Sequence, residues 1–267
     1  MTFYRKTIAD TIQLGGDGLH SGAPVDVAFK PGESGIVFYS PEGEVRADPS
    51  NVSNTERCTR LGAVNTVEHC MAALAAAEVT DVEIHLTAQE MPAMDGASRT
   101  YLDAIIKTGL AVLSEATFEG PFARVFARDG QRKVAIGSGQ GHWSYRFMSE
   151  TRWPFDEMFE MTALPEGFLE EVASARTWGF EDEVSHLHSL GLARGLDLTK
   201  ALVLGPSGYV NESHWPDEAT RHKLLDVIGD VYLSGIPIRF LNVSAEQSGH
   251  QLNVQAAVHL KEAVRLS

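Results

Sequence analysis

The chain has 267 residues, 43% of them hydrophobic, enough for two small domains or one large one. Its formal net charge of −14 excludes the basic footprint of a nucleic-acid binder. Two cysteines, Cys58 and Cys70, are too few for a disulfide scaffold and fit a reducing compartment. The opening MTFYRKTIADT has no apolar core of signal-peptide length, and the longest apolar run, CMAALAAA, is far short of a membrane span. These features predict a cytoplasmic globular protein with no nucleic-acid partner and no membrane span.

In chain order, residues 24–40 alternate apolar and polar side chains, which predicts two strands separated by PGESG. A helix follows at TVEHCMAALAAAEV, then a strand at DVEIHL, the loop TAQEMPAMDG, and a helix from Ser98 to Leu110. The polar and turn residues of LSEATFEGP, 113–121, read as a linker. The second half opens with strands at FARVFAR, RKVAIG and HWSYRFM. It continues with a helix near Ala219, a strand at IPIRFLNVS, a loop ending in SGH and a last helix from Leu252. Both halves therefore run helix, strand, Gly-containing loop, helix. Each first helix starts with a histidine, His69 or His222, offset by 153 residues, which predicts a duplicated fold.

Within RHKLLDVIGD, His222, Asp226 and Asp230 follow one another at four-residue steps and share one face of a helix. A histidine and an aspartate one turn apart can grip a divalent cation. A solvated polar stripe with one His–Asp hydrogen bond is the plainer alternative. A cleft between duplicated halves would bring His69 to His222. Glu68, next to His69, could take a proton from water beside a cation. Asn65 followed by Glu68 also matches a helix capping box. No HExxH pattern is present, which removes the thermolysin-like arrangement.

Six segments in order, GDGLHSG (16–22), NTVEHCMAAL (65–74), MPAMDG (91–96), ARTWGF (175–180), RHKLLDVIGD (221–230) and SGHQLN (248–253), resemble the signatures of the UDP-3-O-acyl-N-acetylglucosamine deacetylase family, LpxC. The resemblance spans most of the chain. It implies an α+β protein of two similar domains, each a layered β/α sandwich, at 1–114 and 120–267, with an inserted βαβ unit around 178–211 and the active site in the cleft between them. It implies zinc, with iron(II) as the other cation suited to the set, held by His69, His222 and Asp226. Glu68 would be the general base and His250 the cation that stabilises the oxyanion and protonates the leaving amine. Asp230 would hold His250, and Thr177 would donate to the oxyanion. Lys223, taken to point off the metal face, would reach a phosphate or sugar oxygen of a UDP-sugar.

Weaker candidates line the same motifs. His20 is either a cleft residue or an ordinary loop hydrogen-bonder. Trp178 and Phe180 either stack on a sugar or base or simply pack in the core. Cys58 approaches the cleft, but a buried thiol is normally inert. His142, His186, His188, His214 and His259 carry no expected role.

The chain departs from the family in ARGLD, where Arg194 and Leu196 replace an apolar residue and a glycine, and the hairpin within CTRLGAVNTVEH is shorter. With Leu196 in the acyl passage and Arg194 facing it, the passage would be narrowed and a short acyl chain, or none, preferred. Arg194 could instead snorkel to solvent. Three readings follow: deacetylation of UDP-3-O-acyl-N-acetylglucosamine on the way to lipid A, the same chemistry on another N-acyl substrate, and an inactive binding protein on the same scaffold. The oligomeric state stays open, with a monomer favoured.

Overall fold

The computed structural model describes residues 1–149 and 152–264. The first half contains β1 (Thr2–Ile8), β2 (Ile12–Asp17), β3 (Pro24–Pro31), β4 (Ile36–Ser40), β5 (Gly43–Arg46), β6 (Val52–Asn54), β7 (Arg60–Leu61), α1 (Glu68–Ala76), β8 (Val82–Leu86), α2 (Arg99–Thr108) and β9 (Leu110–Thr117). The second half contains β10 (Val125–Asp129), β11 (Arg132–Ser138), β12 (Trp143–Ser149), β13 (Trp153–Met161), α3 (Phe168–Glu171), β14 (Thr177–Phe180), α4 (Glu181–Ser189), β15 (Ala201–Gly205), β16 (Gly208–Tyr209), α5 (Glu218–Tyr232), β17 (Leu241–Glu246) and α6 (His250–Ala263).

Two five-stranded sheets dominate, and they match strand for strand. The first runs β2-β3-β8-β4-β5 and the second β10-β11-β17-β12-β13. In each, the central strand lies antiparallel to one neighbour (β3 or β11) and parallel to the other (β4 or β12). Alternation sets the inner faces: Val25, Val27 and Phe29 of β3 are buried while their neighbours Asp26 and Lys30 are not.

The inner faces are covered by helices that also pack on each other. In α1, every residue from Glu68 to Ala75 is buried. Its sequence, EHCMAALAA, is apolar on nearly all sides, so it suits the centre of the molecule and not a surface. It packs on α5. At that crossing a side chain is not tolerated: a Cβ on Gly229 would sit 2.0 Å from the Glu68 carbonyl oxygen. The buried residues of both halves form one continuous cluster. The fold is therefore α+β, two similar β/α layers with their helices facing inwards. No helix of the described residues is long and apolar enough to cross a membrane.

Several local expectations change. Residues 113–117, expected in a linker, belong to β9, which pairs antiparallel with β1. The partner strand lies at the other end of the half, so its pairing is invisible to a local window. IPIRF is not strand; residues 238–240 form a 3-10 turn and β17 starts at Leu241. The last helix starts at His250, not Leu252. The helix at 99–108 stops at Gly109, whose φ of 81° suits glycine. The expected inserted βαβ unit is present: the TWGF of ARTWGF forms β14, parallel to β15 with α4 joining them, and β16 adds an antiparallel edge.

Candidate metal centre and catalytic cleft

His69, at the second position of α1, and His222 and Asp226, one turn apart on α5, converge where the two helices cross. Their ligating atoms all lie within 4.8 Å of one another, and all three residues are buried. Asp226 Oδ1 is 3.8 Å from His69 Nε2 and 3.4 Å from His222 Nε2. The two imidazoles meet edge to face, ring centres 5.0 Å apart. The Ala175 carbonyl oxygen lies 2.9 Å from His222 Nδ1, so Nδ1 carries the proton and the Nε2 lone pair faces the group.

The donor set fits a divalent cation. Asp226 Oδ1 is buried without a hydrogen-bond partner, and a buried carboxylate oxygen left unpaired is costly unless something positive meets it. Burial, reinforced by the neighbouring His222, lowers His69 to about 3. Burial likewise lowers His222. Both rings are thus neutral and able to ligate. Burial alone would raise Asp226, but the Lys223 ammonium outweighs it and holds the carboxylate well below its usual range.

Around this triangle sit two further ionisable groups. The Glu68 carboxylate accepts the Thr59 N–H through Oε2 at 3.0 Å, and its Oε1 lies 4.0 Å from His250 Nε2. Burial pushes Glu68 up to about 8, opposed by His250 and aided by Asp230 and Asp226. His250, at the first position of α6, donates from Nδ1 to Asp230 Oδ2 at 3.1 Å. Burial works against a charged imidazole there, but Asp230, with Asp226 and Glu68, raises His250 to about 9. Asp230 is fully buried and also accepts from Asn253 Nδ2 at 2.9 Å and from the Thr59 hydroxyl.

The capping reading of Glu68 does not hold. Residue Val67 precedes α1 with no side-chain cap, the Asn65 N–H donates to the Gln89 carbonyl, and Glu68 takes the Thr59 amide instead. Lys223 does not point off the metal face either: its Nζ donates to Asp226 Oδ2 at 2.6 Å. It stands 5.5 Å over the Trp178 ring and lines the cleft. One turn of helix is short enough for a long flexible side chain to fold back on the carboxylate three residues ahead.

The cleft has a volume of about 470 Å³. Glu68, His69, Thr177, His222, Asp226 and His250 line it. Trp178, Phe180, Val184, Leu187 and Val203, from β14, α4 and β15, and Leu196, from the loop between α4 and β15, give it an apolar wall. Thr177 is anchored by donating its N–H to the Gly96 carbonyl at 2.7 Å. Trp178 is only half-buried and donates from Nε1 to the Ala219 carbonyl, so it serves packing and cleft alike. His20 also lines the cleft; its backbone N–H donates to Glu90 Oε1 at 2.7 Å, while neither ring nitrogen has a partner. Cys58 lines the cleft too, but burial pushes its thiol up to about 12, so it stays protonated and unreactive.

Leu196 is on the apolar wall, but Arg194 is not. Arg194 is exposed, donates its N–H to the His20 carbonyl, and packs its Cβ near Gly22. The snorkelling alternative therefore describes it. Sequence reasoning missed Thr59, Asn253 and the buried Arg176–Glu218 pair. That pair joins ARTWGF to the first turn of α5 through Nε–Oε1 and Nη2–Oε2 bonds of 2.9 and 3.1 Å. None of these has a local sequence signal, because their partners are distant in the chain.

The sequence profile of the UDP-3-O-acyl N-acetylglycosamine deacetylase family, LpxC, matches residues 5–262. A protein of Citrifermentans bemidjiense named UDP-3-O-acyl-N-acetylglucosamine deacetylase is 32% identical over 275 residues, covering 96% of this chain and 88% of its own length. A protein of Brucella melitensis biotype 2 with the same name is 31% identical over 280 residues, covering 96% of this chain and 94% of its own. With a profile match over nearly the whole chain and relatives of this identity aligned end to end, the chain belongs to the UDP-3-O-acyl N-acetylglycosamine deacetylase family.

Proposed function

We propose that the protein is a zinc-dependent deacetylase that removes the N-acetyl group of UDP-3-O-acyl-N-acetylglucosamine, a step of lipid A synthesis. The observation that carries this is the buried His69–His222–Asp226 set in a cleft that Glu68 and His250 also line, their side chains 4.0 Å apart. His69, His222 and Asp226 would hold the cation. Bound there, it supplies Lewis acidity toward the amide carbonyl and the attacking water. Glu68 takes the proton of that water. His250, kept charged by Asp230, faces the developing oxyanion and gives its proton to the leaving amine. Thr177, which lines the cleft, donates to the same oxyanion. Lys223 neutralises Asp226 and offers its remaining protons to the substrate, with His20, Trp178 and Phe180 flanking the sugar and the start of the acyl chain. The free thiols of Cys58 and Cys70 fit a cytoplasmic location. We take the halves to divide near residues 114–120.

Acetate release from UDP-3-O-acyl-N-acetylglucosamine is the direct test. Of the two residues that would narrow the passage, Leu196 lines the cleft and Arg194 does not. The apolar wall favours a long chain. Burial is worth about 0.8 kcal/mol per methylene, so even four buried methylenes should give about a 10²-fold advantage in kcat/KM over unacylated UDP-N-acetylglucosamine. Equal rates on both compounds would move the protein to another N-acyl substrate.

The pH profile should be bell-shaped. Activity requires ionised Glu68, so it rises as pH climbs through the Glu68 pKa, about 8 without a cation. A divalent cation nearby favours the carboxylate and moves that limb lower. Activity also requires protonated His250, so it falls as pH rises through about 9. His250→Gln should abolish the basic limb along with most of the rate; a basic limb unchanged in that variant would assign it to another group.

A further inference from the structure

Thr59 is fully buried in the loop between β6 and β7, and both its hydrogen-bond donors serve the acid–base machinery. Its N–H donates to Glu68 Oε2 at 3.0 Å. Its hydroxyl donates to Asp230 Oδ1. The other Asp230 oxygen receives His250 Nδ1 at 3.1 Å and Asn253 Nδ2 at 2.9 Å. One residue of the first half thus touches the carboxylate of α1 directly and reaches the imidazole of α6 through an aspartate of α5. Its own carbonyl accepts the Val67 N–H at 3.2 Å, which ties it to the start of α1.

We propose that Thr59 is a positioning residue that holds Glu68 and His250 in mutual register across the two halves. Its hydroxyl proton occupies Asp230 Oδ1, so Oδ2 is left to take the His250 Nδ1 proton, and the ring turns Nε2 toward the cleft, 4.0 Å from Glu68 Oε1. Without that hydroxyl a buried carboxylate oxygen loses its donor, and no solvent reaches it to substitute. Asp230 then relaxes, and the imidazole it orients relaxes with it. Thr59 lines neither the cleft nor the cation triangle. It therefore acts on turnover and not on substrate affinity or metal content. The inference rests on the deacetylase reading for its catalytic consequence, but not for its geometry.

Thr59→Val keeps the shape, retains the N–H bond to Glu68 and removes only the hydroxyl. It should lower kcat by about 10- to 10²-fold, the loss expected for a buried acceptor left unpaired, with KM and bound metal unchanged. Thr59→Ser should recover most of the rate. In proton NMR, the His250 Nδ1–H signal, assigned by its absence in His250→Gln, should be sharp in the wild type and Thr59→Ser and broadened or lost in Thr59→Val. If the valine variant does not fold, Thr59→Ala against Thr59→Ser makes the same comparison. A hydroxyl-free variant with wild-type kcat and an intact His250 signal would overturn the proposal. So would a serine variant as slow as it, which would make Thr59 a packing residue. A wild type that releases no acetate would instead fail the deacetylase reading, and the His250 signal would still decide whether Thr59 holds the ring.

Discussion

His69→Ala and Asp226→Ala proteins are expected to emerge from dialysis without the divalent cation that the wild type retains, and without measurable deacetylation. Groups that merely orient a metal ligand are typically worth 10- to 100-fold in affinity, so removing a ligand should cost more than about 10²-fold. The two variants should differ in stability. His69→Ala removes a neutral ring. Asp226→Ala also strips Lys223 of the carboxylate at 2.6 Å and leaves a half-buried ammonium unpaired. Its Tm should therefore fall further, even when both are compared without metal. Elemental analysis and thermal unfolding read the two effects separately. Full metal content in both variants would show that the triangle is not the site.

Glu68→Ala should keep the cation and lose about 10² or more in turnover, the usual scale for a positioned base. Glu68→Gln should behave alike while preserving the hydrogen bond from Thr59. Its stability should move the opposite way. The Glu68 carboxyl rises from its ordinary 4.5 to about 8 on folding. Between those values the folded state binds the proton more tightly than the unfolded chain, so stability falls as pH rises through the window. Near neutral pH the metal-free Glu68→Gln protein should melt above the wild type, because it has no carboxylate to desolvate. Near-normal turnover in Glu68→Ala would remove Glu68 from the chemistry. A lower Tm in Glu68→Gln would show that its carboxylate is stabilised more than burial allows.

The most legible parts of the site were those written at helical spacing. His222 and Asp226 could be paired from RHKLLD alone because i and i+4 share a face whatever the rest of the fold does. His69 needed a longer argument, the repetition of helix, strand and loop, which the two matching sheets bear out. The capping reading of Asn65 and Glu68 was reasonable by spacing, and it failed because Glu68 found a better donor nine residues upstream. Thr59 could not have been found locally: one of its partners, Asp230, is 171 residues away. The same limit hid β9, whose partner strand β1 opens the chain. Lys223 was misdirected because helical phase fixes where a Cβ points, not where four methylenes carry an ammonium.

The contact between Gly229 and the Glu68 carbonyl has a consequence for the ion itself. Where two helices touch through main chain, their separation is not adjustable by a change of rotamer. The span from His69 to the His222 and Asp226 pair is then a property of the backbone, set before any ion arrives. A site spaced by main chain would be preorganised, and little conformational entropy would be lost on loading it. It would discriminate among cations by preferred bond length and coordination geometry, since its helices could not part around a larger one. A side chain at 229 would act as a spacer between the helices and lengthen the span from His69 to His222 and Asp226, so a substitution there would change the fit for a cation without touching it.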